Sequence, residues 1–231
     1  IESMVFKHNV ALLRLALPKA PPFAFYAGQY IDLLLPGNVS RSYSIANSPD
    51  QEGILELHIR RRENGVCSEM IFGSEPKVKE KGIVRIKGPL GSFTLQEDSG
   101  KPIILLATGT GYAPIRSILF DLIRQDSSRA VHFYWGARHQ DDLYALEEAQ
   151  ELTGRLKNAR FTPVLSKADE GWQGEKGYVQ TAAAKDYPDL SSYEVYACGS
   201  VAMTESAKSV LTAQCNLPET TFYSDSFSPA Q

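Results

Sequence analysis

Leu106-Ala107-Thr108-Gly109-Thr110-Gly111-Tyr112-Ala113-Pro114 is the stretch on which the reading of this chain turns. It stands between a short continuous apolar run, Ile103–Ala107, and a segment where Ile115, Ile118, Leu119, Leu122 and Ile123 recur at helical spacing. The run has the mark of a strand buried on both faces, and the segment that of an amphipathic helix. Glycines let a backbone approach a phosphate closely, and a helix N-terminus offers unpaired N–H groups and the positive end of its dipole. Pro114 suits a first helical turn, where its missing N–H costs nothing. The common dinucleotide fingerprint would need glycine at position 114 and an acid after the next strand, which instead ends in Gly136-Ala137-Arg138. This is therefore a candidate nucleotide-binding turn of another pattern.

Downstream the alternation continues. Val131–Trp135, Arg160–Leu165, Tyr193–Cys198 and Thr221–Ser224 read as strands, and Leu143–Leu156 and Val201–Cys215 as helices. Strand–helix alternation implies a parallel sheet with helices on both faces, with ligands at the carboxyl ends of its strands. Those ends carry Gly109, Thr110 and Gly111, then Gly136 and Arg138, then Ser166, then Cys198-Gly199-Ser200. A Cys ending a buried strand is ordinarily packing, and no base lies near Cys198 in sequence to make it a nucleophile.

Upstream the period changes to two. Val5–Leu17, Gln29–Leu35, Arg41–Ala46, Ile54–Arg61 and Val84–Leu90 are short apolar-rich runs separated by Pro and Gly. Leu55, Leu57 and Ile59 alternate with Glu56, His58 and Arg60. Such runs predict a small antiparallel barrel, with one short helix near Cys67–Phe72. The expected fold has two domains: an all-β barrel over 1–97, then an α/β parallel-sheet domain over 101–231. The polar stretch Gln96–Lys101 divides them. On the barrel, Arg41 offers a planar donor fork for phosphate, Tyr43 a face for an aromatic ring and Ser44 a hydroxyl. Alone, each is an ordinary strand residue. Gly65-Val66-Cys67-Ser68 opens the short helix, where N–H groups and the Ser68 hydroxyl could also meet phosphate.

Composition excludes several classes. The chain has 231 residues, 43% hydrophobic and 22% charged, with a net charge of −3. No basic field dominates, so nucleic acid is not an expected partner. No apolar stretch approaches the roughly 20 residues of a transmembrane helix, and the start does not read as a signal peptide. Three widely spaced cysteines fit a reducing, cytoplasmic setting. They fall short of the four ligands of an iron–sulfur cluster, and no metal site is expected. No G-x-S-x-G elbow occurs and the four His match no triad order, which argues against a hydrolase.

The order of motifs resembles the ferredoxin–NADP reductase superfamily over nearly the whole chain. The motifs are Arg-x-Tyr-Ser at 41–44, Gly-x-x-Ser at 65–68, Gly-Pro-Leu-Gly-Ser-Phe at 88–93, Gly-Thr-Gly-x-Ala-Pro at 109–114, Trp-Gly-Ala-Arg at 135–138 and Cys-Gly-Ser-x-x-Met at 198–203. Gly28–Leu33, Arg41–Asn47 and Asp142–Tyr144 make it most similar to the flavin reductase modules of CDP-6-deoxy-glucoseen reductase and of oxygenase reductases. Where the family carries Gly-Gly before Thr-Gly, this chain has Thr108 before Gly109.

The resemblance implies a six-stranded antiparallel barrel holding FAD and an α/β domain binding NADH or NADPH. It implies hydride transfer from nicotinamide to flavin, then passage of electrons to an acceptor. That acceptor is expected to be a ferredoxin-like domain or an oxygenase or dehydratase partner. Arg41 would pair with FAD phosphate, Tyr43 pack on the flavin ring and Ser44 bond near its N5. The backbone around His58, Ile59 and Arg60 would line the ribityl chain, and Gly65, Val66, Cys67 and Ser68 would cradle the pyrophosphate. Gly109, Thr110, Gly111 and Pro114 would meet NAD(P)H, together with Gly136, Arg138, Ser166, Gly199 and Met203. Cys198 would lie beside the nicotinamide, and Phe227 would be the aromatic near the flavin face. Ser44, Cys198 and Phe227 are thus the expected catalytic set. A 2Fe-2S cluster is expected only in a ferredoxin domain outside this sequence. Ser166-Lys167 and Lys176–Tyr178 could hold a 2′-phosphate, but surface lysines are usually solvated, so the nucleotide choice stays open. Two alternatives remain: a reductase of free flavin, and a non-catalytic electron-transfer or regulatory subunit.

Overall fold

The computed structural model describes residues 1–96 and 99–227. The expected boundary therefore includes two positions, 97 and 98, outside the described residues. The first half holds β1 (Ser3–Lys7), β2 (Val10–Ala16), β3 (Tyr30–Leu35), β4 (Val39–Ser44), β5 (Ile54–Arg60), α1 (Val66–Phe72) and β6 (Arg85–Leu90). The second holds β7 (Ile103–Thr108), α2 (Tyr112–Arg124), β8 (Val131–Ala137), α3 (Leu146–Gly154), β9 (Ala159–Leu165), β10 (Glu175–Lys176), α4 (Val179–Asp186), β11 (Glu194–Ser200), α5 (Val201–Gln214) and β12 (Phe222–Phe227).

The first half corrects the expectation of one six-stranded barrel. Its six strands form two three-stranded antiparallel sheets, β1-β2-β5 and β4-β3-β6. Among the described residues one β-bridge joins them, Ile45 with Leu57. Asn47 explains why the ladder stops there. Its Oδ1 accepts the Glu56 N–H at 2.9 Å and its Nδ2 donates to the Ile54 carbonyl at 3.1 Å, replacing backbone pairing. The Ser48-Pro49-Asp50 turn then carries the chain away, with the Ser48 hydroxyl bonded to Asp50. Alternation still sends Leu13, Ile31, Leu33, Leu55, Leu57 and Ile59 into one shared core. The single run expected over Val5–Leu17 is a hairpin, broken at His8, whose φ of 51° is left-handed.

The second half has the expected parallel sheet, in the order β10-β9-β8-β7-β11-β12. Every neighbouring pair is parallel. The central strands are apolar throughout because helices cover both faces. Ile103, Leu105, Ala107, Phe133 and Trp135 enter the core under α2 and α3, while Ile104, Leu106, Tyr134 and Ala197 enter the core under α4 and α5. Two elements went unread in the sequence, β10 and α4. The first is two residues long, and the Ala-rich second has little periodic contrast.

Candidate functional site

The glycine turn lies where its sequence indicates. β7 ends at Thr108, Gly109–Gly111 form one 3-10 turn, and α2 begins at Tyr112 with no side-chain cap. No side-chain acceptor caps its first turn, and the Tyr112 N–H is used within the turn, on the Gly109 and Thr110 carbonyls. The two glycines answer different needs. Gly109 has φ +53°. A Cβ on Gly111 would collide with the Cys198 carbonyl, so this glycine serves close packing of α2 on β11. Trp135 holds the turn by donating Nε1–H to the Gly109 carbonyl at 3.0 Å and stacking on Tyr112 at 4.3 Å.

Around this turn stand the other strand ends. Cys198 is fully buried, in register with Ala107 and Asp225. Burial pushes its thiol pKa well up, so it is a neutral wall group rather than a nucleophile. A Cβ on Gly199 would meet the Thr108 hydroxyl, whose oxygen accepts from the Ser200 N–H at 3.4 Å. Thr108, the departure from the family pattern, thus ties β7 to β11. Ser200 caps α5 by accepting the Met203 N–H at 3.3 Å. Pro114 and Met203 are buried, and Gly136 faces Val179. Ser166 donates its N–H to the Ala137 carbonyl at 3.0 Å, and Lys167 to the Arg138 carbonyl at 2.9 Å. The Arg138 side chain is exposed. Phe227 ends β12 opposite Ser200 and packs partly against the core that contains Cys198.

In the first half, β4, β5 and α1 face one another. Ser44 is 5% exposed and its hydroxyl has no partner among the described residues. The Tyr43 hydroxyl lies 2.8 Å from the Cys67 thiol at the start of α1. Burial, then the neighbouring thiol, raises the Tyr43 pKa, so the ring is neutral and held in one orientation. Arg41 is half-exposed and donates to the Ser40 carbonyl at 2.7 Å. The Ser68 hydroxyl is already used, accepting the Arg62 N–H at 2.7 Å; Gly65 donates back to the Arg62 carbonyl at 3.2 Å, and Val66 is exposed. On β5 the Ile59 side chain is in the core. Register with β2, and the bond from the Ala46 N–H to the Glu56 carbonyl, turn the backbone groups of His58 and Arg60 away from β2. A buried hydroxyl without a partner among the described residues, beside the edge of β5 that the Ile45–Leu57 bridge joins to the end of β4, fits a polar, planar group such as a flavin.

The two clusters meet. Arg60 crosses from β5 to donate to Asp142 at 3.1 Å, and its guanidinium lies 3.2 Å from where a Cβ on Gly109 would stand. Beneath it His58 is buried, with Nδ1 2.8 Å from the Tyr144 hydroxyl and Nε2 3.1 Å from Glu56. Burial lowers the His58 pKa. Burial would raise that of Glu56, but its His58 bond and the Arg116 charge hold it below the usual range. A neutral His58 beside a carboxylate must donate from Nε2 and accept from Tyr144. Sequence reading gave Glu56, Asp142, Glu148 and Arg116 no site role: Glu56 entered it only in the strand alternation and Asp142 only in the resemblance. The usable signal was Glu56 and His58 alternating with core residues on one strand.

The family comparisons agree with this geometry. Residues 1–95 match the Oxidoreductase FAD-binding domain and residues 105–209 the Oxidoreductase NAD-binding domain. The chain is 42% identical over 223 residues to CDP-6-deoxy-L-threo-D-glycero-4-hexulose-3-dehydrase reductase of Yersinia pestis, covering 96% of this chain but 66% of that protein's length. It is 34% identical over 208 residues to the NAD(P)H-flavin reductase of Vibrio harveyi, covering 89% of this chain and 88% of the relative. The crystal structure of the Amycolatopsis cytochrome P450 reductase GcoB superposes with a TM-score of 0.90 at 31% identity, covering 100% of this chain and 69% of that one. A β half matched to FAD binding, an α/β half matched to NAD binding and a flavin reductase relative covered over 88% of its length place this chain in the ferredoxin reductase-like family of FAD- and NAD-binding oxidoreductases.

Proposed function

We propose that this chain is an NAD(P)H-dependent flavoprotein reductase, with FAD held by residues 1–97 and NAD(P)H by residues 101–231. Bound FAD supplies the capacity to accept a hydride and release electrons onward. The observation that supports the reading is the approach of Arg60, from the β half, to Gly109 in the glycine turn, which would bring the two proposed beds edge to edge. The first-half strands and α1 together would act as the barrel-like cradle expected from the sequence. Arg41 would bind FAD phosphate, Tyr43 would pack on the ring, and Ser44 would bond to it with the hydroxyl left free in the protein. His58 and Arg60 would offer backbone groups to the ribityl chain, and the start of α1 would line the pyrophosphate. Thr110, Gly111 and the first turn of α2 would bind the pyrophosphate of NAD(P)H. Cys198 and Phe227 would shape the nicotinamide pocket and exclude water from it. Arg138, Ser166 and Lys167 lie on two bonded loops where a 2′-phosphate could be tested.

The acceptor proposed is an electron-transfer partner, a ferredoxin-like domain or an oxygenase or dehydratase component, in keeping with the names of the Yersinia and Amycolatopsis relatives. Arg61, Arg62, Lys77, Lys79 and Lys87 are exposed and would suit an acidic partner. The three free, buried cysteines fit a reducing compartment such as the cytoplasm. The Vibrio relative, covered over 88% of its length, favours a second reading, a reductase that releases reduced flavin. The test is the absorption spectrum of the purified chain after gel filtration with FAD, followed by anaerobic bleaching with NADH and then NADPH. A yellow peak bleached by either nucleotide is expected. Colour lost on the column with steady flavin reduction in the mixture would favour the second reading, and no bleaching under any condition would refute both.

A further inference from the structure

Arg116 touches both halves at once. It lies on α2, five residues beyond Gly111, and its side chain is only 12% exposed. Its Nε donates to Glu148 of α3 at 2.6 Å. Its Nη1 donates to the Ala46 carbonyl at 2.8 Å and lies 3.2 Å from Glu56 of β5. The next residue, Ser117, donates to the Asn47 carbonyl at 2.7 Å. Ala46 and Asn47 lie two and three residues beyond Ser44 in the chain, and Glu56 is shared with His58 on the strand proposed to line FAD. One guanidinium therefore joins the loop after the flavin-facing Ser44 to the helix that begins at the nucleotide turn.

A planar fork with fixed donor directions satisfies three acceptors only at one relative placement of the elements that carry them. Hydride transfer requires the reacting atoms at about 3–3.5 Å, and a misplacement of about 1 Å can cost about 100-fold in rate. We propose that Arg116 is a positioning residue which sets the separation of the FAD and NAD(P)H beds, so that the rate of hydride transfer depends on it while the affinity for each nucleotide does not. This rests on the reductase reading above. Arg116 touches neither ring and acts through Ala46, Glu56 and Glu148.

The test compares wild type, Arg116→Lys and Glu148→Gln in the full chain. Lysine keeps the charge but not the fork. Hydrogen exchange is measured first, without nucleotide. Faster exchange confined to residues 44–47 and 109–117 is expected in Arg116→Lys, with the rest of the sheet unchanged. Anaerobic stopped flow should then show the hydride step slowed about 10-fold or more, with Kd for FAD and for NADH within about threefold of wild type. Glu148→Gln, at a side chain 39% exposed, should fold normally and shift the rate in the same direction by a smaller factor. An unchanged hydride step in both variants would overturn the proposal. So would exchange rising everywhere together with loss of FAD, which marks a merely structural arginine. If wild type itself is not bleached by either nucleotide, the reductase reading fails, and the exchange pattern still judges the clamp.

Discussion

Ser44 and Gly111 show how single residues carry opposite kinds of information. A buried hydroxyl without a partner is destabilising by about 1–3 kcal/mol relative to a satisfied one. Ser44→Ala should therefore leave the thermal midpoint of the FAD-free chain unchanged or slightly higher. In the FAD-loaded protein the same change should slow reduction by NADH about 10-fold or more. A lower midpoint without FAD and an unaltered reduction rate would remove Ser44 from the site. Gly111 is a structural requirement as well as a proposed binding one. Gly111→Ala drives a methyl into the Cys198 carbonyl, and a backbone shift of that kind costs about 1–3 kcal/mol. Denaturant unfolding without nucleotide should show that loss. The sequence named both residues but could not tell the two demands on the glycines apart, because the Cys198 carbonyl lies 87 positions away along the chain.

Among the elements, β8 holds a buried histidine, and the connector between the halves is held by an arginine paired with a buried carboxylate. His132 on β8 is buried, with Nδ1 2.9 Å from the Tyr187 hydroxyl and Nε2 2.8 Å from Thr162. Burial, reinforced by Arg160, lowers its pKa to about 4. A lowered histidine pKa means the unfolded chain binds more protons, so stability falls as pH drops from the ordinary histidine range, near 6.5, towards 4. The drop should reach about 2–3 kcal/mol, and thermal melts of His132→Gln between pH 7 and 4.5 should lose that share of the slope. Arg129 fastens the connector. It donates to the Lys101 carbonyl at 2.6 Å, the Gln96 carbonyl at 3.1 Å and Glu194 at 2.7 Å. Glu194 is 2% exposed, so Arg129→Met strands a buried carboxylate and should cost about 3–5 kcal/mol. Adding Glu194→Gln should return most of it. Element type was readable wherever a period ran long, as in α2 and α5. It was not readable for α4, whose run of alanines has no strong polar contrast.

For the whole molecule, the contacts between the halves predict that they unfold together. Arg116, Ser117, Arg60 and His58 all bond across the division. Calorimetry should give one transition, and FAD at about 100 times its Kd should stabilise it by about 2.7 kcal/mol. Two separate transitions, with FAD moving only one, would mean that these bonds do not couple the halves. The primary sequence by itself determined the two-part organisation, the parallel sheet and the glycine turn, because those follow from local periods and from backbone rules that act within a few residues. It also carried the motif order that placed the chain among FAD- and NAD-binding oxidoreductases. Only the tertiary structure decided that the β strands form two sheets meeting at one bridge, that His58 is a neutral link to Tyr144, and that Arg116 spans the division. Those outcomes depend on side chains distant in sequence arriving at one place, where burial turns ordinary surface charges into a fixed network.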